Sequence, residues 1–173
     1  MEFSFCPKCG GVLETKEIEQ QNRLVCQDCG FIFYQNPTPA VATVLLKDEQ
    51  ILLVKRKFEP KRGFWSLPAG FVEYDEYPVQ AAVREAKEET NLDIEVGKVI
   101  GVYGGFDDPR VHVILVVYMA EILGGSLKPG DDAEEAEFFS FDELPKNLAF
   151  RSHRKVIRDV QRAFKRNSQE IFD

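Results

Sequence analysis

The chain has 173 residues and a mass of 19.8 kDa, with 44% hydrophobic and 12% aromatic content, which suits one globular domain, or one domain with a small appended module, and excludes disordered and collagen-like architectures. A balance of 22 Lys and Arg against 29 Asp and Glu gives a net charge of -7 and a pI near 5.0, the wrong sign for a surface that binds nucleic acid as a whole. The longest apolar run, Val113 to Ala120, is far short of the roughly 20 residues of a membrane-spanning helix, and Met1-Glu2-Phe3-Ser4-Phe5 has neither the basic start nor the apolar stretch of a leader, so the expected location is cytoplasmic, with no membrane partner.

Residues 1 to about 35 hold all four cysteines and read as short strands between tight corners at Lys8-Cys9-Gly10-Gly11 and Asp28-Cys29-Gly30. Tyr34-Gln35-Asn36-Pro37-Thr38-Pro39 reads as a stiff linker, because each proline fixes its own φ and extends the residue before it. Ala40–Leu46 and Ile51–Lys55 are apolar runs around the polar turn Lys47-Asp48-Glu49-Gln50, a hairpin signal. After a Pro/Gly-rich passage from Pro60 to Gly70, Pro78–Asn91 reads as helix. Strands are expected over Lys98–Tyr103, Val111–Ile122 and Glu137–Phe141. Arg151–Arg166 reads as a closing helix with Val156, Ile157, Val160 and Phe164 on one stripe. The expected fold class is an α/β sandwich with a mixed sheet, preceded by the cysteine module.

The cysteines are spaced Cys6-x-x-Cys9 and, sixteen residues on, Cys26-x-x-Cys29. Two such knuckles can present four thiolates to one tetrahedral Zn²⁺, and a segment below about 40 residues usually requires a metal or disulfides to fold. Disulfides are the alternative, which a cytosolic location opposes. With all four positions filled by protein, the ion would be structural. The module resembles a zinc ribbon, a form that also serves nucleic-acid and protein binding.

In the helix over Pro78–Asn91, successive residues turn by about 100°. This places Val79, Ala82, Val83, Ala86 and Thr90 on one face, expected to pack, with Glu85, Glu88 and Glu89 opposite. Three carboxylates at i, i+3 and i+4 repel one another, and Arg84 neutralises only part of that charge. Hard oxygen donors of this kind suit Mg²⁺ or Mn²⁺.

Gly70, Glu76, Arg84, Glu85, Glu88 and Glu89, with apolar Ala86 and Leu92, match the pattern Gly-x5-Glu-x7-Arg-Glu-U-x-Glu-Glu-x-Gly-U, where U is apolar; Asn91 stands where the pattern has glycine. This is the Nudix box, and from about Pro39 to Phe164 the chain resembles a Nudix hydrolase. Asparagine is the next most tolerant residue for the left-handed geometry that ends such a helix. The resemblance implies a Nudix-type α/β/α sandwich over residues 37–173 behind a zinc ribbon over 1–36. The two-part layout is similar to that of pyrophosphatases acting on NADH, FAD or ADP-ribose. It implies hydrolysis of a nucleoside diphosphate linked to another moiety, with Glu85, Glu89 and the backbone carbonyl of Ala69 or Gly70 holding metal. Glu88 would hold a second ion or activate water, Arg84 would orient the carboxylates, and Glu76 would brace the loop before the helix. The acidic loop Asp131, Asp132, Glu134, Glu135 is a further candidate for the general base, with a solvated turn as its alternative.

The moiety is less constrained. NADH-cleaving members carry Ser-Gln-Pro-Trp-Pro-Phe-Pro-x-Ser after the box, whereas this chain reads Gly101-Val102-Tyr103-Gly104-Gly105-Phe106-Asp107-Asp108-Pro109. The coenzyme A signature is also missing, and Pro109 is similar to a proline that marks ADP-ribose pyrophosphatases. ADP-ribose or FAD is therefore expected first and NAD(H) third, with AMP released. Arg56 and Arg110 are candidate phosphate contacts, with an ordinary surface arginine as the alternative for either. Phe64, Trp65, Phe71, Tyr103 and Phe106 flank the site so implied and could stack on adenine or flavin; core packing is expected for most of them, while Phe106, set among glycines, is expected to be exposed and is the substrate-binding candidate. The rival reading is a nucleic-acid or partner-binding module built on the ribbon and the last helix, where seven Lys and Arg residues face Asp159 alone. His153 on that helix could approach a substrate, with a surface role as the first expectation. A homodimer is a family-level expectation.

Overall fold

The computed structural model describes residues 3–130 and 132–165. Asp131 and Arg166, both singled out above, lie outside the described residues. A three-stranded antiparallel sheet forms first: β1 (Leu13–Ile18), β2 (Gln21–Cys26) and β3 (Ile32–Phe33). The second sheet is larger and contains β4 (Thr38–Lys47), β5 (Gln50–Arg56), β6 (Trp65–Ser66), β7 (Ala69–Phe71), β8 (Leu92–Asp108), β9 (Val111–Gly125) and β10 (Ala133–Ser140). Its order is β10-β5-β4-β9-β8, with β6 beside β5 and β7 beside β4. It is mixed, because β4 runs parallel to β9 and every other pair is antiparallel. Helix α1 (Pro78–Thr90) crosses from β7 to β8, and α2 (Arg151–Lys165) follows β10.

The continuous apolar run in β4 arises because both faces of that strand are covered. Ala40, Ala42 and Val44 face one side, with Leu53, Leu115, Val117 and the α2 residues Val156, Ile157 and Val160. Val41 and Leu45 face the other side, with Tyr118 and Ala120 and the α1 residues Ala81, Ala82 and Ala86. Alternation along the strand therefore assigns one helix to each face and makes the α/β/α sandwich.

Several elements run longer than the sequence suggests. Thr38 and Pro39 belong to β4 and not to a linker: they pair in parallel with Val113 and Ile114, and proline is tolerated this close to a strand's start. The strand expected over Lys98–Tyr103 extends from Leu92 to Asp108, because its glycines do not break it. A Cβ on Gly105 would stand 2.5 Å from Val113 Cγ2, so that glycine allows close approach, and register shifts absorb the remaining irregularities. β9 reaches Gly125, and β10 occupies Ala133–Ser140 instead of Glu137–Phe141.

The α1 face is also rotated from its expected position. Val79 and Val83 are 45% and 38% exposed, while Ala81, Ala82, Ala86, Glu89 and Thr90 are buried. The small alanines let the helix lie close to Val41 and Tyr118, and this turns Glu89 inward. Asn91 ends the helix at φ 59°, ψ 15°, donates its N–H to the Lys87 carbonyl, and anchors its side-chain amide on the Ser126 carbonyl at 2.9 Å.

Candidate active site

The four cysteine sulfurs all lie within 4.8 Å of one another, and no disulfide joins them. Cys6 Sγ is 3.7 Å from Cys29 Sγ, and Cys9 Sγ is 3.5 Å from Cys26 Sγ. A tetrahedron of sulfurs around Zn²⁺ has edges of about 3.8 Å, so the donor set fits that ion. The Lys8 N–H also points at Cys6 Sγ, at 3.4 Å.

In the larger sheet domain the carboxylates of α1 meet the β6–β7 segment. Glu89 is 6% exposed and accepts the Ala69 N–H at 2.9 Å. Burial pushes its carboxyl up to about 8, and the neighbouring Glu85 adds to the rise. Burial likewise raises Glu85, against the pull of Arg84. Glu85 fits beneath Gly70, where a Cβ would stand 2.0 Å from the carboxylate carbon.

Arg84 organises the exposed side of this group. It donates to Glu76 Oε1 and Oε2 at 2.6 and 3.1 Å, to Glu85 Oε1 at 2.7 Å, to Glu88 Oε2 at 3.0 Å and to the Phe71 carbonyl at 3.0 Å. Glu76 also accepts the Glu73 N–H at 2.8 Å, which ties the loop ahead of α1 to the same cation and holds the Glu76 carboxyl below its ordinary range. Among the described residues, only the cysteines gather ligand atoms within 4.8 Å. Arg84 draws Glu85 and Glu88 to itself, while Glu89 turns to Ala69. The set is nonetheless an oxygen-donor site with surplus negative charge, and it fits a hard divalent cation.

Glu85, Glu88 and Glu89 line a hollow of about 480 Å³ with Lys57 and Asp132. Asp132 also lines an adjoining cleft of about 650 Å³, whose floor includes Ala69 and Gly70. The cleft walls are largely apolar, with Phe71, Val113, Leu115 and Phe150, and they are studded with charge. Arg56 and Arg110 both line it. Arg56 is half-buried, donates through Nε to the Pro60 carbonyl at 2.8 Å, and lies over the Phe150 ring. Arg110 is exposed and grips Asp108 with bonds of 2.9 and 2.8 Å, holding that carboxyl down to about 2.

Phe106 does not line the cleft. It is 66% exposed and meets His112 edge-to-face at 4.9 Å. Phe71 and Phe150 are the aromatic residues of the cleft; Phe150 carries no motif in the sequence. Trp65 is in the core against Phe139, and Tyr103 donates to Asp159 on α2. In the acidic loop, Glu135 pairs with Lys55 at 2.8 Å, and Asp132 is the member that reaches the site.

His153 corrects its expected surface position. It is 5% exposed, accepts the Leu67 N–H through Nδ1 at 3.1 Å, and lines the cleft; burial holds its pKa down to about 4. Its partner lies 86 residues away, so no local pattern marks it. The rest of α2 packs by its stripe as expected, and its cations are partly spent on Asp159 and Asp142. No helix among the described residues is long and apolar enough to cross a membrane.

Two family models match the chain, the NUDIX domain over residues 36–160 and the Nudix N-terminal module over residues 4–35. An ADP-ribose pyrophosphatase of Methanocaldococcus jannaschii is 51% identical over 130 residues, covering 75% of this chain and 76% of that protein. An NAD-capped RNA hydrolase NudC of Pseudomonas aeruginosa is 30% identical over 168 residues, 96% of this chain, which spans only 58% of that relative's length. Among solved structures, a NUDIX hydrolase from Nitrosomonas europaea superposes with a TM-score of 0.81 at 33% identity, covering 94% of this chain and 93% of the other.

Proposed function

The chain belongs to the NUDIX family, is a Nudix pyrophosphohydrolase, and we propose that its substrate is ADP-ribose, split by water into AMP and ribose 5-phosphate. The observation that carries the substrate is the 51% identity to an ADP-ribose pyrophosphatase across three quarters of both chains. The geometry agrees with it: an apolar cleft with two arginines suits an adenine and a diphosphate, and it opens onto the carboxylate hollow at Asp132. FAD stands second and NAD(H) third. NAD-capped RNA enters through the NudC relatives, of which the chain spans little more than half. We assign residues 1–36 to the zinc ribbon and 37–173 to the hydrolase.

The family's cofactor is Mg²⁺ or Mn²⁺, beside structural Zn²⁺ on Cys6, Cys9, Cys26 and Cys29. Glu85, Glu89 and the Ala69 carbonyl would hold the catalytic ion, with Glu88 at a second. When bound, such ions lower the pKa of water and offset charge on the phosphoryl oxygens. Glu89 fixes the Ala69–Gly70 backbone through the Ala69 N–H. Arg84 keeps Glu85 and Glu88 in place, and Glu76 keeps Arg84 in place. Arg56 would neutralise the diphosphate in the cleft. Water's oxygen forms the new bond to phosphorus as the bridging P–O bond breaks. The water's proton passes to Glu88 or Asp132, the carboxylates of the hollow nearest open solvent and the cleft, and the bridging oxygen leaves on one of the two phosphates.

The test is hydrolysis of ADP-ribose, FAD, NADH, NAD⁺, diadenosine polyphosphates and capped RNA with Mg²⁺ or Mn²⁺, the products resolved by chromatography. Preferential AMP release from ADP-ribose supports the assignment. Preferential cleavage of NADH or capped RNA replaces it. Binding without turnover on any member restores the rival reading of a binding module.

A further inference from the structure

One wall of the cleft is built of hydrogen-bond donors that the mechanism above does not use. His153 is almost fully buried, yet it lines the cleft. Its Nδ1 accepts the Leu67 N–H, so the proton of the neutral ring sits on Nε2, and Nε2 finds no acceptor among the described residues. The Leu67 bond fixes the ring in the cleft wall, so that Nε2–H is a positioned donor open to the cleft and to whatever binds there. The His153 ring is 5.3 Å from the Phe150 ring, over which the Arg56 guanidinium stands at 5.2 Å. Arg56 donates through Nε to Pro60, leaving its terminal nitrogens toward the cleft.

Ser152 and His153 are also the second and third residues of α2, a helix of 15 residues. Their backbone N–H groups find no backbone acceptor among the described residues, whereas the Arg151 N–H is taken by Asp107. The two carboxylates of β8 in the cleft are already engaged, Asp107 with Arg151 and Asp108 with Arg110. Glu59 and Asp132 also line the cleft, on the Arg56 side; at His153 and the first turn of α2 what remains open donates, and the complementary ligand atom is an anionic oxygen.

We propose that His153 Nε2–H, beside Arg56 and the first turn of α2, donates a hydrogen bond to a phosphate oxygen of the bound nucleotide. The inference rests on reading the cleft as the nucleotide site. It makes His153 a binding residue and not only a support for Leu67.

Two substitutions separate these roles. In His153→Asn the side-chain oxygen takes the place of Nδ1 and keeps the Leu67 bond, while the Nε2–H is lost. In His153→Gln the amide nitrogen reaches toward the Nε2 position, while Leu67 loses its acceptor. Binding of AMP and of adenosine is measured by calorimetry on the full chain with Mg²⁺, together with thermal midpoints and the KM for ADP-ribose. For His153→Asn we expect a midpoint near wild type, AMP binding weaker by about tenfold, adenosine binding changed by less than about twofold, and the larger part of the kinetic loss in KM. His153→Gln should melt earlier yet bind AMP better than His153→Asn. Affinity that follows the melting temperature, or equal weakening of AMP and adenosine, overturns the proposal. Wild-type protein that binds AMP but does not cleave ADP-ribose overturns the substrate assignment and leaves this comparison intact. Failure of the wild type to bind AMP overturns both.

Discussion

Gly70 and Glu85 compete for one volume: a Cβ on Gly70 would stand 2.0 Å from the Glu85 carboxylate carbon. The obstacle is the free end of a flexible side chain, so Gly70→Ala should displace the carboxylate and leave the fold standing. We expect metal-dependent turnover to fall by roughly 10- to 100-fold, the usual cost of disturbing a metal ligand's support. The thermal midpoint should change by only a few degrees. Turnover assays paired with calorimetric melts check both; a collapse of the fold with no surviving native fraction would contradict the relationship.

Burial makes Glu89 a source of pH dependence. With its pKa near 8 in the metal-free protein, the folded chain keeps a proton that the unfolded chain has already released above the ordinary value of 4.5. Stability is therefore lost as pH rises through this window, by at most about 1.4 kcal/mol per unit. His153 acts in the opposite sense between about 4 and 6.5, because its buried neutral ring resists protonation. From pH 6.5 to 8 the Glu89 effect dominates; Glu85, raised by burial as well, acts in the same direction above its ordinary value. Zinc-loaded protein free of Mg²⁺ and Mn²⁺ should lose about 1–2 kcal/mol across that interval. Glu89→Gln should flatten the dependence and abolish turnover, and Mn²⁺ should raise the wild-type melting temperature more at pH 8 than at pH 6.5.

The cysteine module should depend on its ion. Cys26→Ser removes one of four converging sulfurs from a segment whose buried cluster is Cys6, Leu13 and Cys26 with a few partly buried neighbours. We expect zinc content to drop from one ion per chain toward zero and amide protection to vanish over β1, β2 and β3, measured by metal analysis and hydrogen exchange. Protection over β4, β5 and β9 should persist, together with measurable turnover.

Two hairpins are closed by unfavourable residues. Glu19-Gln20 joins β1 to β2 and Asp48-Glu49 joins β4 to β5, each pair with both φ values positive, at 52° and 63° and at 49° and 63°. That geometry favours Asn-Gly. Replacing Asp48-Glu49 by Asn-Gly should stabilise the protein by about 0.5–1 kcal/mol, seen as a rise of roughly 1–4 °C in the melting temperature, with unchanged kinetics.

The parts of this molecule legible in the sequence are those with local signatures. The cysteine spacing specified a four-sulfur cluster, and Arg84, Glu85, Glu88 and Glu89 marked a charged site whose geometry now includes the expected Arg84 and Glu76 contacts. On α1 the expected Ala82, Ala86 and Thr90 are buried but Val79 and Val83 are not, because close packing on β4 and β9 favours the small Ala81, Ala82 and Ala86 and turns Glu89 inward. β8 runs well beyond the expected Lys98–Tyr103, because its glycines serve bulges and close approach inside one strand. Of the aromatic candidates Phe71 lines the cleft and Phe106 does not, while Phe150 carries no local signal. The expected surface position of His153 fails because its burial depends on Leu67, far away in the chain.

The measurement that bears most directly on this account is AMP release from ADP-ribose by the wild-type chain, with and without Mg²⁺ or Mn²⁺, beside Glu89→Gln as control. The account predicts stoichiometric AMP and ribose 5-phosphate from the wild type with metal, none after chelation, and none from the folded variant. Equal AMP release by Glu89→Gln, or none from folded wild-type protein with metal bound, would contradict it.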